Sequence, residues 1–360
     1  MTWIGRQRHW TGVVVVALAA CAPGHGETSV APAATIALET QTSGVAALLQ
    51  AVSAPSSRVA WVSGHAAAVL RTTNGGASWE TISVPGAAAD SLQFRDVHAV
   101  DADVAYLLAS GPGSRSRIYK TTDGGRSWDL QFTNADSSGF YDCLAFWDAA
   151  RGIAFSDAVA GRFLVRVTQD GGAHWDLVAD ETLPRAQPGE GAFAASGTCV
   201  AALDRTQVWI GTGAADSARV LHSRDAGRAW EVAVTPMAGG RSSGIAALAF
   251  RDTLHGIVLG GDVADPNTRS DNVAVTSDGG RTWHAGGRPR FAGAVYGAAA
   301  IPGRPGWVVA VGPRGLDYST DDGMSWTSVD TLAYWSVGFG SRNTGWAVGP
   351  GGRIKQIRLP

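Results

Sequence analysis

The sequence predicts an all-β fold, a seven-bladed β-propeller of four-stranded antiparallel blades. Its ring is closed by an N-terminal strand that completes the C-terminal blade. Three observations carry this. A turn ending in Trp recurs six times, as TTNGGASW (72–79), TTDGGRSW (121–128), TQDGGAHW (168–175), SRDAGRAW (223–230), TSDGGRTW (276–283) and STDDGMSW (319–326). The tryptophans are 49, 47, 55, 53 and 43 residues apart. A period of roughly 40–55 residues, with short alternating apolar runs between copies, marks one propeller blade per repeat. Finally, the two ends of the chain carry complementary fragments of a blade.

The first 34 residues stand apart from the repeat. Arg6 and Arg8 precede the apolar stretch 13–20, which is too short to span a bilayer and has the layout of a secretory signal. Its RQR is not a twin-arginine pair. Leu18-Ala19-Ala20-Cys21 has the form of a bacterial lipobox, in which Cys21 is acylated; an ordinary signal with a chance Cys at the cleavage site is the alternative. The expected organisation is a lipoprotein signal peptide over 1–20, a flexible tether over 21–34 and a propeller over 35–360. The protein is then exported and lipid-anchored on the periplasmic face of a bacterial envelope.

Blade 2 shows the template. FRDVHAV (94–100) reads as the inner strand, VAYLLAS (104–110) as the second, RIYKTT (117–122) as the third and SWDLQF (127–132) as the outer. The same template places blade 1 at 46–85, blade 2 at 92–133 and blade 3 at 139–180. Blades 4, 5 and 6 follow at 192–236, 243–287 and 292–330. A seventh unit has three strands from 334 to 359 and no outer one, while TIALETQT (35–42) is a lone strand before blade 1. Pairing the two leaves no open sheet edge.

The turn between third and outer strands has its own chemistry. Asp accepts N–H bonds from its own turn, Gly supplies positive φ, and Ser or Thr adds a hydroxyl bond. Asp123, Asp170, Asp225, Asp278 and Asp321 are therefore structural, with Asn74 as a working substitute. Trp79, Trp128, Trp175, Trp230, Trp283 and Trp326 each bury roughly 150–250 Å².

Composition narrows the function. Hydrophobic residues make up 45% and charged residues 17%, enough apolar material for one large core. The net charge of −2 gives no global basic field for nucleic acid. No cofactor or metal is expected, and the chain reads as a monomer. Cys143 and Cys199 share one register in neighbouring inner strands. Export favours a disulfide, but inner strands need small side chains and buried Cys supplies them; two free thiols are expected.

Aligned inner strands place Gln50, Asp96, Asp142, Thr198, Ala246, Gly297 and Ser336 in one column, with Arg95 and Tyr141 beside it. If the column faces the channel, the mouth is polar over blades 1–4 and small over blades 5 and 6. A water-filled channel whose polar groups satisfy one another is the bland alternative. Long loops at 156–163, 181–193 and 261–272 crowd the same face, and such loops on a rigid scaffold concentrate binding residues. The candidate binding set is Arg95, Asp96, Tyr141, Asp142, Arg162, Arg185, Glu190 and Arg269.

The TxDGGxxW turns resemble the Asp-box, or BNR, repeats of sialidases and related glycoside hydrolases. That resemblance implies a propeller and, as an alternative function, glycan hydrolysis. The Phe-Arg-Ile-Pro motif of sialidases does not occur; the nearest fragment is Leu183-Pro184-Arg185. Hydrolysis needs two carboxylates about 5–9.5 Å apart, and Asp96 with Asp142 is the pair to nominate. A closer overall likeness is to the photosystem II assembly and stability factor family, through RVAWVSG (58–64), RTTNGGASW (71–79) and TGWAVGPGGRI (344–354). It implies a non-catalytic scaffold holding a protein or polypeptide segment. That family carries a basic patch for which this sequence shows no clear equivalent.

Overall fold

The computed structural model describes residues 1–3, 5 and 36–360. The signal's apolar stretch, Cys21 and the tether lie outside the described residues. Residues 36–360 form one compact unit.

Each repeat folds as an antiparallel sheet whose strands run outward in chain order. Blade 1 is β2–β5 (Leu49–Ser53, Ala60–Gly64, Val69–Thr72, Glu80–Thr81) and blade 2 is β6–β9 (Phe94–Ala99, Ala105–Ala109, Arg117–Thr121, Asp129–Thr133). Blade 3 is β10–β13 (Tyr141–Phe146, Gly152–Val159, Arg162–Thr168, Asp176–Leu177). Blade 4 is β14–β17 (Val200–Leu203, Gln207–Gly211, Arg219–Ser223, Glu231–Val234). Blade 5 is β18–β21 (Ser243–Phe250, Gly256–Asp262, Val273–Thr276, His284–Ala285) and blade 6 is β22–β25 (Gly297–Ala300, Val308–Gly312, Gly315–Ser319, Thr327–Asp330). Blade 7 takes β26–β28 (Ser336–Ser341, Thr344–Gly349, Arg353–Arg358) from the C-terminus and β1 (Ala37–Gln41) from the N-terminus.

The closure is in register from Ala37 opposite Arg358 to Gln41 opposite Ile354. Side chains key it as well. Gln41 donates to the Gly75 carbonyl at 3.1 Å and accepts from the indoles of Trp79 and Trp346 at 3.0 and 3.1 Å. The closing strand thus fastens blade 7 to the turn of blade 1.

Packing between blades rests on the second strands. Trp61, Tyr106, Trp209 and Trp346 sit in β3, β7, β15 and β27 and are fully buried. Trp61 meets Trp128 of the next blade edge-on at 6.2 Å, and Trp209 stacks on Phe250 of the next at 3.9 Å. The turn tryptophans therefore bridge neighbouring sheets, as their burial demands.

The turns have the expected hydrogen bonds. In blade 2, Thr121 Oγ1 donates to Asp123 Oδ1 at 2.9 Å and accepts from Gly125 N–H at 2.8 Å. Asp123 then accepts the N–H and hydroxyl of Ser127 at 2.9 and 2.6 Å. Gly125 has φ +87°, and a Cβ there would lie 2.7 Å from Ile82. Asn74 copies the arrangement, accepting Ser78 N–H at 3.0 Å.

Two expectations are corrected. Cys143 and Cys199 are joined in a disulfide, with Cα atoms 6.0 Å apart; equal register on neighbouring blades brings their side chains face to face. The segment 156–163 is not a loop but the prolonged β11–β12 hairpin, turning at Ala160 and Gly161 with φ +52° and +77°.

Candidate functional site

The inner strands reach the axis through β-bulges. Gln50 in β2, Arg95 in β6, Asp142 in β10 and Ala246 in β18 are each an extra residue against the second strand. Bulged residues leave the ladder and re-aim their side chains. In blades 6 and 7 the ladder begins at Gly297 and Ser336, so Tyr296 and Trp335 take the equivalent position. The column expected from sequence is thus right at blades 1, 3 and 5 and one residue late at blades 2, 6 and 7, while in blade 4 the ladder begins at Val200, after Thr198. A one-residue slip exchanges the faces of a strand. It replaces Asp96, Gly297 and Ser336 with Arg95, Tyr296 and Trp335, turning a small, polar rim into one with a cation and two rings.

The channel is also not open. Segment 192–198 of blade 4 crosses it. The Ala194 carbonyl accepts from Gln50 of blade 1 at 2.8 Å, and the Ser196 carbonyl from Ser336 of blade 7 at 3.2 Å. Thr198 accepts from Leu248 N–H of blade 5 at 2.8 Å. Gly197 has φ +76° and lies against Asp96 of blade 2, leaving no room for a Cβ. A segment touching blades 1, 2, 5 and 7 must lie over the axis. The disulfide at Cys199 anchors its end.

Above this plug lies a blind cup of about 340 Å³. Its floor includes Phe193, Ala194 and Ala195, and its walls include Arg95, Phe140, Asp142, Asp157, Tyr296 and Trp335. Tyr296 and Trp335 lie with ring centres 4.6 Å apart. Asp157 is the bulged residue of β11, so two bulges on adjacent strands bring Asp142 and Asp157 within hydrogen-bonding reach. Asp157 also accepts Ala192 N–H of the plug at 3.0 Å.

Burial sets the charges. Loss of water, then repulsion by Asp157, pushes the Asp142 carboxyl well above the usual range, with Arg95 pulling the other way. Asp157 is pushed up to about 6, chiefly by burial. Burial thus favours the protonated form of both carboxyls. Opposite it, the Arg95 guanidinium donates to Gln93 at 2.7 and 3.2 Å and lies 5.8 Å from the Phe140 ring centre. Among the described residues its only side-chain hydrogen-bond partner is Gln93.

The other nominated residues disperse. Asp96 is buried beneath the plug, accepts Leu144 N–H at 2.7 Å and is pushed up to about 8 by burial. Tyr141 points into the blade, its hydroxyl accepting from Arg166 at 2.9 Å. Arg162 and Arg185 share Asp180 at 3.3 and 3.5 Å. Glu190 is fully buried and bonded by Arg219, Thr212 and Gln187. Arg269 donates to the Arg290 carbonyl. Of the eight, only Arg95 and Asp142 line the cup. From the sequence, Asp157 stands out only as a residue of the 156–163 segment, and Phe140, Phe193, Tyr296 and Trp335 do not stand out at all. The available signal was an aromatic residue directly before the inner strand in blades 3, 6 and 7.

The fold and cup define a seven-bladed propeller with one plugged, recessed face. Solved structures share that fold. A YCF48 bound to a D1 peptide matches with a TM-score of 0.61 and 16% identity, over 90% of this chain and 97% of the other. YCF48 from Cyanidioschyzon merolae matches with 0.61 and 16%, over 89% and 99%. A GH74 xyloglucanase from Xanthomonas campestris matches with 0.62 and 16%, over 89% of this chain but 53% of the enzyme. No family model and no curated protein sequence matches the chain.

Proposed function

We propose that this is an exported, lipid-anchored propeller that acts by holding a polypeptide segment of a partner protein at its cup face. The observation that carries the reading is the recess itself. It combines an Arg that forms no salt bridge among the described residues with the half-buried rings of Trp335, Phe140 and Phe193, and Arg and aromatic residues dominate interface hot spots. The rim loops around it supply contact surface, and the disulfide-anchored plug gives a rigid floor. The structural likeness to a propeller solved with a D1 peptide supports a peptide as the occupant. Signal cleavage and acylation at Cys21 fit the same picture, since a tether would let the cup reach a membrane-bound partner.

The rival reading, glycan hydrolysis at Asp96 and Asp142, draws on the xyloglucanase likeness and the two aromatic rings. The carboxyls oppose it. Asp142 is in hydrogen-bonding reach of Asp157, too close to straddle a glycosidic bond, and Asp96 lies under Gly197.

The test is a photo-crosslinking amino acid in place of Trp335, in the native host. A single dominant protein adduct, lost with Arg95→Ala while the melting temperature holds, supports the scaffold. Turnover in a broad glycoside screen of the purified protein, abolished by Asp142→Asn, overturns it. Labelled fatty acid incorporated by wild type and not by Cys21→Ser checks the anchor.

A further inference from the structure

We propose that the cup is a binding site for a compact zwitterion, a free α-amino acid with an aromatic or large apolar side chain. Its carboxylate meets Arg95, its ammonium meets the Asp142–Asp157 pair, and its side chain lies against Trp335 and Tyr296. This goes beyond holding a partner and does not depend on it.

Four features of the cup point to this ligand. Its size is that of a small molecule: about 340 Å³ falls within the roughly 300–1,000 Å³ of ligand pockets. It sets a cation beside a pair of carboxyls on the next blade, Arg95 on β6 and Asp142 and Asp157 on β10 and β11, so one short ligand can reach both. Arg95 has donors to spare, because Gln93 engages only Nε and one terminal nitrogen. Most telling, the acidic side is under-bonded. Asp142 is 1% exposed and lines the cup with Gln50, and among the described residues Asp142 Oδ2 and Gln50 Oε1 have no hydrogen-bond donor. Buried acceptors without a donor are costly, and an ammonium group brings three donors to one point.

A purely anionic ligand would satisfy Arg95 and leave those acceptors bare beside a negative charge. A purely cationic one would face Arg95 unpaired. A neutral apolar group would bury both. A ligand carrying both charges a short distance apart partners Arg95 and the carboxyl pair together. The aromatic wall then selects its side chain, since paired rings favour offset or tilted contact with a third.

The measurement is calorimetric titration of the purified protein with L-phenylalanine, phenylalaninamide and N-acetylphenylalanine, alongside intrinsic tryptophan fluorescence compared between wild type and Trp335→Phe. Saturable binding of L-phenylalanine is expected, with each blocked derivative weaker by about tenfold or more, as loss of a charge-assisted bond implies. Arg95→Met should erase the preference for the free acid over the amide. Should that variant misfold, Trp335→Ala tests the wall instead and should weaken all three ligands together. No saturable binding at millimolar concentration, or an amide that binds as well as the free acid, overturns the proposal. So does binding of a xyloglucan oligosaccharide in preference to the amino acid. The partner crosslink at position 335 is read separately, so either reading can fail without the other.

Discussion

The two faces of this propeller use aspartate in opposite ways. On the turn face, Asp123 and Asp170 stand in water, accept N–H and side-chain bonds from their own turns, and are held at about 2. On the channel face, Asp96, Asp142 and Asp157 are taken out of water and held above their usual range. The first group repeats with the blade and reports architecture. The second occurs once and marks where the ring departs from symmetry. Solvation, not residue type, separates structure from site.

The harshest way to probe the turn face is to remove what closes the ring. Truncation at residue 352 deletes β28, so β1 loses its partner and two sheet edges open. Aggregation is expected in size-exclusion chromatography; a soluble monomer would show that closure is dispensable. Next, Trp128→Ala removes the ring that meets Trp61 and should cost about 3–5 kcal/mol in denaturant unfolding. Gly125→Val should be comparably damaging, because it strains a φ of +87° and strikes Ile82. If neither substitution moves the melting curve, the turns are not the framework.

On the channel face, the pair Cys143→Ser and Cys199→Ser should cost about 2–4 kcal/mol. It should also raise hydrogen exchange in 192–198 more than in any Asp turn. Uniform exchange would mean that the bridge does not hold the plug.

The smallest effect is the pH profile, which separates the faces by sign. Asp123 and Asp170, held below the ordinary 3.8, contribute stability that is present above that value and lost as pH falls through about 2. Asp96, raised to about 8, contributes stability that is complete below 3.8 and lost as pH rises through about 8. Asp96→Asn should therefore flatten the loss of melting temperature between pH 4 and 8 and leave the acid side unchanged. An unaltered slope would mean that Asp96 ionises as readily folded as unfolded.

Much of the fold was legible because it is local and repeated. The turn needs only eight residues, and its Trp, Gly and Asp report it six times over. The closure could be read from two matching fragments, TIALETQT and RIKQIRL. The site was less legible. FRD in blade 2 offers two polar residues in succession, and only the bulge decides that Arg95 faces the cup and Asp96 the plug. The disulfide is hidden for a similar reason: shared register is visible in the sequence, but not the approach of the two neighbouring chains near the axis.

Sequence alone determined the number of blades, their order and the closing strand, because each follows from contacts within about fifty residues or from the pairing of two unmatched ends. Tertiary structure alone decided which side chains meet at the axis. A one-residue bulge costs little locally yet turns a side chain to the other face, and a segment from blade 4 can be seen to plug the channel only once blades 1, 2, 5 and 7 surround it.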